Sequence, residues 1–84
     1  MNSIEWTTKA LRQVRKLPFA AQGDIAEAVD TLRDWPHVEQ VKALVGKPGY
    51  RLRVGRYRVL FTIHAGIPLI VRIEEVKKRD EHTY

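Results

Sequence analysis

The spacing of apolar residues changes about halfway along the chain, from a helical period to a two-residue alternation. In the first half, apolar side chains recur every three or four positions, at Ala10, Leu11, Val14, Leu17, Ala21, Ile25, Ala28, Val29 and Leu32. This spacing predicts two amphipathic helices, one from about Thr8 to Leu17 and one from about Pro18 to Asp34. Pro18 ends the first helix and is favoured in the first turn of the second. Such a helical hairpin needs a further layer against which its apolar stripes pack.

The second half of the chain supplies that layer as strands. Tyr50–Val54 and Tyr57–His64 alternate and are rich in β-branched and aromatic residues, and Gly55-Arg56 between them fits a two-residue hairpin turn. After a turn at Ala65-Gly66, Ile67–Val76 is the last predicted strand. The pattern predicts an α+β fold, in which an antiparallel three-strand meander carries the helical hairpin on one face.

The remaining segments are short. Met1–Trp6 predicts a short first strand, and Thr7 or Thr8 is placed to cap the first helix through its hydroxyl. Val41–Val45 is compatible with either extended chain or a turn. Lys77–Tyr84 is predicted to be a polar tail, because it is too charged for a core.

Length and composition exclude several classes of protein. A chain of 84 residues predicts a single domain spanning 1–84, with a small core and no deep enclosed cavity. The absence of cysteine excludes disulfides, thiolate zinc sites and a cysteine nucleophile. Three scattered histidines make a poor metal set, so we expect no metal and no cofactor. No signal-peptide pattern and no apolar run long enough for a membrane span is present, which predicts a cytoplasmic protein.

The positive charge is confined to the second half of the chain. Residues 1–39 hold five basic and six acidic side chains, whereas residues 40–84 hold ten basic and four acidic ones. No Asp or Glu occurs between Gln40 and Ile73. Because a region of one sign repels itself, this distribution favours an anionic partner, most often a nucleic acid.

A two-residue turn at Gly55-Arg56 fixes which residues face each other in the hairpin. It places Arg53 opposite Arg58 and Leu52 opposite Val59. Arg51, Arg53 and Arg58 then share one face, and the alternate apolar residues face the helices. Directly opposed like charges cost a sheet a few tenths to about 1 kcal/mol. A solvated face of extended arginines is one interpretation; we favour an anion site, because no acid lies nearby in sequence and arginine binds phosphate oxygens in a bidentate manner.

The C-terminal tail contains residue types suited to protons and bases. The imidazole of His82 is a group that can take or give a proton at neutral pH, and Tyr84 offers a ring for stacking on an unpaired base. Arg79 adds a further cation, although a frayed solubilising end is the alternative interpretation. His37, His64, Trp6 and Trp35 are expected to be surface or packing residues. No Gly-rich phosphate loop, metal-spaced motif or serine triad is visible.

Three blocks of sequence together resemble a known family. IEWTTKALRQVRKLP, KALVGKPGYRLRVGRYRVLF and VKKRDEHTY are similar to the RelE toxin branch of the bacterial RelE/ParE superfamily over nearly the whole chain. The resemblance implies a small α+β toxin of a type II toxin-antitoxin system that pairs with a cognate antitoxin as a hetero-oligomer. It also implies a metal-independent endoribonuclease that cleaves messenger RNA in the A site of the 70S ribosome.

The resemblance also implies site residues. Arg51 and Arg53 match the family's basic pair before the hairpin, where the prototype has lysines, and Arg58 matches the arginine of its YR step. Arg79 and Tyr84 match its C-terminal arginine and tyrosine, although they lie one residue closer together than in the prototype. His82 resembles a histidine near the final tyrosine in the YoeB-like branch. The glutamate that acts with that histidine has no counterpart between Gln40 and Ile73.

These residues define the expected site and its alternatives. The expected catalytic residues are Arg51, Arg53, Arg58, Arg79, His82 and Tyr84, and the expected RNA-binding residues are Lys47, Arg56, Lys77 and Lys78. A ParE-like gyrase poison of the same fold is one alternative. A non-catalytic RNA-binding or interaction module is the other.

Overall fold

Two helices and five strands make up residues 2–78, the part of the chain that the computed structural model describes. In chain order they are β1 (Ser3–Trp6), α1 (Thr8–Arg15), α2 (Phe19–Asp30), a 3-10 turn (Thr31–Asp34), β2 (Val41–Ala43), β3 (Tyr50–Val54), β4 (Tyr57–His64) and β5 (Ile70–Lys78). No helix within residues 2–78 is both long and apolar enough to cross a bilayer.

The strands form one mixed sheet in the order β1-β5-β4-β3-β2. β3, β4 and β5 are the predicted antiparallel meander, and β2 extends it at one edge by pairing with β3. β1 pairs with β5 in parallel at the other edge. This pairing is possible because α1, α2 and the following segments carry the chain across the sheet between the two strands. The predicted α+β class is confirmed, and the predicted first strand and three-strand meander are joined by β2 in one five-strand sheet.

The helices end earlier than their apolar periodicity predicts. α1 stops at Arg15 instead of Leu17, because the residue before Pro18 is disfavoured in helical conformation. The second predicted helix divides at Asp30, and its last four residues form a 3-10 turn. There the Thr31 hydroxyl donates a 2.6 Å hydrogen bond to the Ala28 carbonyl, a local bond that competes with regular helix.

Two strands also have bounds that differ from the predicted ones. The undecided segment Val41–Val45 contains strand β2, which ends at Ala43. The last strand begins at Ile70 instead of Ile67, since Pro68 has no N–H to donate to the ladder. It continues to Lys78 because β4 pairs with it as far as Tyr57 and Lys78. Lys77 and Lys78 are therefore strand residues, and the prediction that they open the tail is wrong.

The core lies between the helices and one face of the sheet. Ile25, Val29 and Leu32 from the helical side pack with alternate strand residues, among them Val59, Phe61 and Ile73, all almost fully buried. Trp35 packs on this core beside Tyr50 and Phe61, with ring centroids 4.6 and 5.6 Å away. The other face, which we call the open face, carries no helix and therefore presents the intervening strand residues.

Helix α1 is fixed along the edge of β5 that β1 leaves free. The Thr7 hydroxyl accepts a hydrogen bond from the Ala10 N–H at 3.1 Å, which caps the helix, and donates one to the Ile73 carbonyl at 2.9 Å. The Gln13 side-chain carbonyl accepts a 2.7 Å bond from the Val76 N–H. These bonds bring the first turn of α1 next to the open face.

Candidate nucleic-acid interface

Four cations from three adjacent strands share the open face. The register pairs Lys42 of β2 with Arg51 of β3, and Arg53 of β3 with Arg58 of β4. This is the register that the Gly55-Arg56 turn predicts, and the structure confirms it. We call Lys42, Arg51, Arg53 and Arg58 the cationic cluster.

A cavity of about 370 Å³ lies within this cluster. Its other lining residues are Gln40, Val41, Gly55 and Tyr57. Arg51 and Arg58 are half-buried, whereas Arg53 and Lys42 are exposed, so the fold partly covers two of the four side chains and leaves the other two in solvent. The volume falls in the range of sites for small ligands, and the charge selects an anionic one.

No carboxylate neutralises the cationic cluster among the residues described. The ion pairs found in residues 2–78 are Lys9–Glu75, Lys77–Glu75, Arg33–Asp30 and Arg72–Glu5. Arg53 and Arg58 stand directly opposite each other, which is unfavourable for the sheet on its own. The uncompensated charge therefore suits binding of an anion better than it suits stability.

Local backbone geometry holds the cluster together. Gly55 has φ +58° and Arg56 a negative φ, as a type II′ turn requires, and this turn keeps β3 and β4 in register. On the other side, Gln40 adopts φ +63°, and its carbonyl accepts a 2.9 Å hydrogen bond from the Arg53 N–H. The start of β2 is thereby fixed beside the arginines.

The loop between β2 and β3 folds back against β4. Gly49 has φ +113°, and a Cβ there would stand 3.0 Å from the Phe61 carbonyl oxygen and 3.4 Å from the Thr62 methyl carbon. Only glycine fits this close approach at positive φ. Lys47, in the same loop, is exposed and close enough to Glu75 to attract its carboxylate.

Glu75 is an open-face residue that the sequence interpretation missed. It pairs with Leu60, one position along the face from the Arg58–Lys77 pair. Its carboxylate lies 3.1 Å from Lys9 Nζ and 3.7 Å from Lys77 Nζ, and its side chain is 22% exposed. The hydrogen bond from Lys9 lowers the pKa of Glu75, opposed by burial and assisted by the charges of Lys77, Lys9 and Lys47.

The sequence contained a signal for Glu75. The acid-free stretch from Gln40 to Ile73 ends within β5, and Glu75 lies on the same strand, two residues beyond it. Continuing the alternation from Arg58 across to the next strand would have reached Lys77 and then Glu75. A bulge in β5 beside Leu60 and Phe61 shifts that register by one residue, so strict alternation counted from Ile73 places Glu75 on the wrong face.

The other predicted site residues occupy varied positions. Arg56 is exposed at the hairpin turn, Lys77 lies on the open face opposite Arg58, and Lys78 pairs with Tyr57 and so falls on the helix side of the sheet. Arg79, His82 and Tyr84 lie outside the described residues. His64 is exposed at the far end of β4, where its Nε2 lies 2.9 Å from the Thr62 hydroxyl.

No group of three or more His, Asp or Glu side chains that could hold a metal ion occurs in residues 2–78. The cationic cluster offers positive charge and hydrogen-bond donors. Such groups bind phosphate oxygens and stabilise negative charge as it develops.

The chain is similar to known proteins in both sequence and fold. The family described as the ParE toxin of a type II toxin-antitoxin system, parDE, matches residues 4–81. No curated protein sequence matches the chain. Among solved structures, the toxin-antitoxin complex RelBE2 of Mycobacterium tuberculosis contains a chain that is 27% identical, with a TM-score of 0.79 and coverage of 93% of this chain and 98% of that one.

Two more distant structures show the same fold. The isolated RelE toxin of E. coli is 19% identical, with a TM-score of 0.79 and coverage of 99% of this chain and 89% of that one. A YoeB/ParE toxin of Agrobacterium tumefaciens is 9% identical, with a TM-score of 0.76 and coverage of 93% and 99%. These two matches confirm the α+β fold, and the family match with the 27% identical structure confirms the resemblance to RelE-type toxins.

Proposed function

Since the chain belongs to the ParE toxin family of type II toxin-antitoxin systems, within the RelE/ParE superfamily, we propose that it is a ribosome-dependent endoribonuclease. In this proposal the toxin acts in the cytoplasm and cleaves messenger RNA in the ribosomal A site. The supporting observation is the cationic cluster around a cavity of about 370 Å³. It offers planar guanidinium groups from two adjacent strands, and such groups bind phosphate oxygens in a bidentate manner.

The reaction uses a nucleophile that RNA itself contains. The 2′-hydroxyl oxygen attacks the adjacent phosphorus while the bond from phosphorus to the 5′-oxygen breaks, which gives a 2′,3′-cyclic phosphate and a 5′-hydroxyl. One proton leaves the 2′-oxygen and one is delivered to the departing 5′-oxygen. The extra negative charge on the phosphorane is the part of this step that arginines stabilise, an effect often worth several kcal/mol.

All but one of the predicted site residues have a role in this scheme. Arg51, Arg53 and Arg58, joined by Arg79, hold the scissile phosphate and stabilise its developing charge. His82 carries the protons, because arginine with its pKa above about 12 is a poor general base. Tyr84 stacks on a base of the messenger. Lys47, Arg56 and Lys77 bind the flanking RNA backbone, whereas Lys78, on the helix side of the sheet, does not face the cationic cluster.

The open shape of the site supports dependence on the ribosome. The cationic cluster lies on a sheet face with no helix over it, so this domain does not enclose a substrate strand. A ribosome that holds the messenger in one geometry supplies the orientation that this surface lacks, a proximity effect of the kind that lowers reaction barriers by several kcal/mol.

A cognate antitoxin is the second proposed partner. The 27% identical neighbour from M. tuberculosis was solved in a toxin-antitoxin complex, which supports the same kind of hetero-oligomer here. An antitoxin segment with acidic residues would complement the cationic cluster, and an amphipathic helix is the other form such a segment takes. Antitoxin and RNA then compete for one surface, and simultaneous binding of both to it would contradict this assignment.

Gyrase poisoning is the alternative function, because the matching family is that of ParE toxins. A gyrase poison needs no phosphoryl-transfer chemistry, and the arginines would then serve only for binding. Stabilised gyrase–DNA cleavage complexes in induced cells, with intact transcripts, would favour this alternative.

The decisive experiment maps new 5′ ends on cellular messenger RNA shortly after the toxin is induced without an antitoxin. We expect cuts confined to translated frames. Substitution Arg58→Ala should reduce them by at least about 100-fold, the usual cost of removing one preorganised charge-stabilising donor.

Arg72→Ala is the matched control, since Arg72 lies on the same face but pairs with Glu5 at 3.1 Å, away from the cationic cluster. It should keep cleavage close to that of the unsubstituted toxin. Intact transcripts after induction, or equal cleavage by Arg58→Ala and Arg72→Ala variants, would refute the proposed site.

A further inference from the structure

An acidic side chain stands at the border of the cationic cluster. Glu75 lies on β5, the strand next to β4, and pairs with Leu60 beside the Arg58–Lys77 pair. From strand spacings of about 4.8 Å and a rise of about 3.3 Å per residue, its backbone is roughly 8 Å from that of Arg58. Any RNA backbone that runs from Arg58 toward Lys77 passes this carboxylate.

Glu75 is more firmly held than the lysines around it. Its side chain is 22% exposed, whereas those of Lys9 and Lys77 are 63% and 52% exposed. Lys9 is brought to it by helix α1, which Thr7 and Gln13 fix to β5. The carboxylate is therefore the more covered member of both pairs, and the two ammonium groups lie on its solvent side, where a phosphate can also reach them.

We propose that Glu75 is a specificity residue, an internal anion that occupies Lys9 and Lys77 and thereby weakens the binding of ribosome-free RNA. An incoming phosphate must take these lysines from a carboxylate that cannot leave, and must also approach a like charge. RNA that the ribosome presents is already oriented over the cationic cluster, so displacing Glu75 from Lys77 costs it a smaller share of its binding. The inference rests on the proposed function, because it concerns which RNA the same site accepts.

Binding of a short RNA tests this inference without cleavage. The probe is a labelled 12-nucleotide oligouridine with 2′-O-methyl groups, which lacks the attacking hydroxyl. At about 150 mM salt, Glu75→Gln should bind it roughly threefold to tenfold more tightly than the unsubstituted toxin. The slope of log affinity against log salt should steepen by about 0.7, the value for one additional phosphate contact on a single strand.

Glu5→Gln is the matched control. It removes the same charge from the same face, and its partner Arg72 lies at the same 3.1 Å as Lys9 does from Glu75. By the register, Glu5 is two strands from β4 and level with Thr62, roughly 16 Å from Arg58. Because charges are screened beyond about 8 Å at this salt, Glu5→Gln should leave affinity within about twofold.

Several outcomes would overturn the inference. They are unchanged or weaker binding by Glu75→Gln, equal tightening by both variants, and no detectable binding by either toxin at low salt. Glu75→Ser provides a second neutral side chain of different size, so that a packing defect in one variant does not decide the result. The proposed function fails separately, by the loss of ribosomal cleavage in the 5′-end experiment, and that outcome does not depend on the affinity for oligouridine.

Discussion

The open face has two halves, both built from β-strands. Charged side chains are unpaired in one half and paired in the other. In the half built from β2, β3 and the start of β4, the cationic cluster has no acidic partner among the described residues, and Arg53 faces Arg58. In the half built from β1, β5 and the end of β4, Arg72 pairs with Glu5 at 3.1 Å, and the Thr62 hydroxyl donates to Glu74 at 2.8 Å. The pairs of the second half stabilise the sheet, and the unpaired first half is the surface that we propose to bind RNA.

Glu75 marks the border between the two halves. It pairs with Lys9 from the helical side and with Lys77 from the edge of the cationic cluster. A solvated face with no function would be expected to place acids evenly among its arginines, since mixed charge is more favourable for a sheet. The acidic side chains of this face lie instead on β1 and β5. The hairpin strands β3 and β4 carry arginines and no acidic residue.

Salt should affect RNA binding through the cationic cluster and not through the paired half. If each of the four cations neutralises one phosphate, affinity for single-stranded RNA should fall about fiftyfold between about 50 and about 200 mM salt. Arg53→Gln should flatten the salt slope by about 0.7, because one contact is lost. Arg72→Gln should leave the slope unchanged. Fluorescence anisotropy across a salt series measures the slope for the unsubstituted toxin and for both variants. Equal slopes for the two variants would contradict the proposed difference between the halves.

Replacing an arginine by glutamine should change the free energy of unfolding in opposite directions in the two halves. Arg53→Gln removes a directly opposed like charge, so the free energy of unfolding should rise by about 0.5 kcal/mol. Arg72→Gln breaks the partly exposed pair with Glu5 and should lower it by about 0.5 kcal/mol or less. Urea unfolding monitored by tryptophan fluorescence distinguishes these signs. A loss of stability in both variants would mean that the cationic cluster contributes to the fold.

The pH dependence of stability should reveal Glu75 as the border residue. Its pKa is lowered in the folded state, so its contribution is complete above the ordinary pKa of the carboxyl and is lost as pH falls through the lowered folded-state pKa. Glu75→Gln should therefore be less stable than the unsubstituted toxin at pH 7, by about 0.5 kcal/mol. The two should converge in acid. A difference that stays constant from pH 7 to pH 3 would attribute the loss to packing instead of charge.

Local patterns were enough to predict most of the hairpin that carries the site. A two-residue turn at Gly55-Arg56 allows one register only, so the pairing of Arg53 with Arg58 followed from the sequence. The assignment of Arg51, Arg53 and Arg58 to one face followed from the period of two. Arg79, His82 and Tyr84 lie outside the described residues, and their roles remain predictions.

Local sequence patterns could not predict the long-range pairings between strands. β2 is three residues long and carries too little periodicity to indicate a strand, so its pairing with β3 appears only in the folded chain. The parallel pairing of β1 with β5 joins residues nearly 70 positions apart. No local signal encodes such a contact, because it depends on how the helices in between pack on the sheet.

By itself, the sequence determined which residues are cationic, which side of a hairpin they share and which superfamily the chain resembles. These properties depend on neighbours within a few positions. Only the tertiary structure decided that Lys42 joins the arginines and that Lys9 and Lys77 meet at Glu75. The physical reason is that an ion pair depends on the distance between two charged groups in space. Here that distance is set by a bulge in β5 and by a helix fixed to its edge.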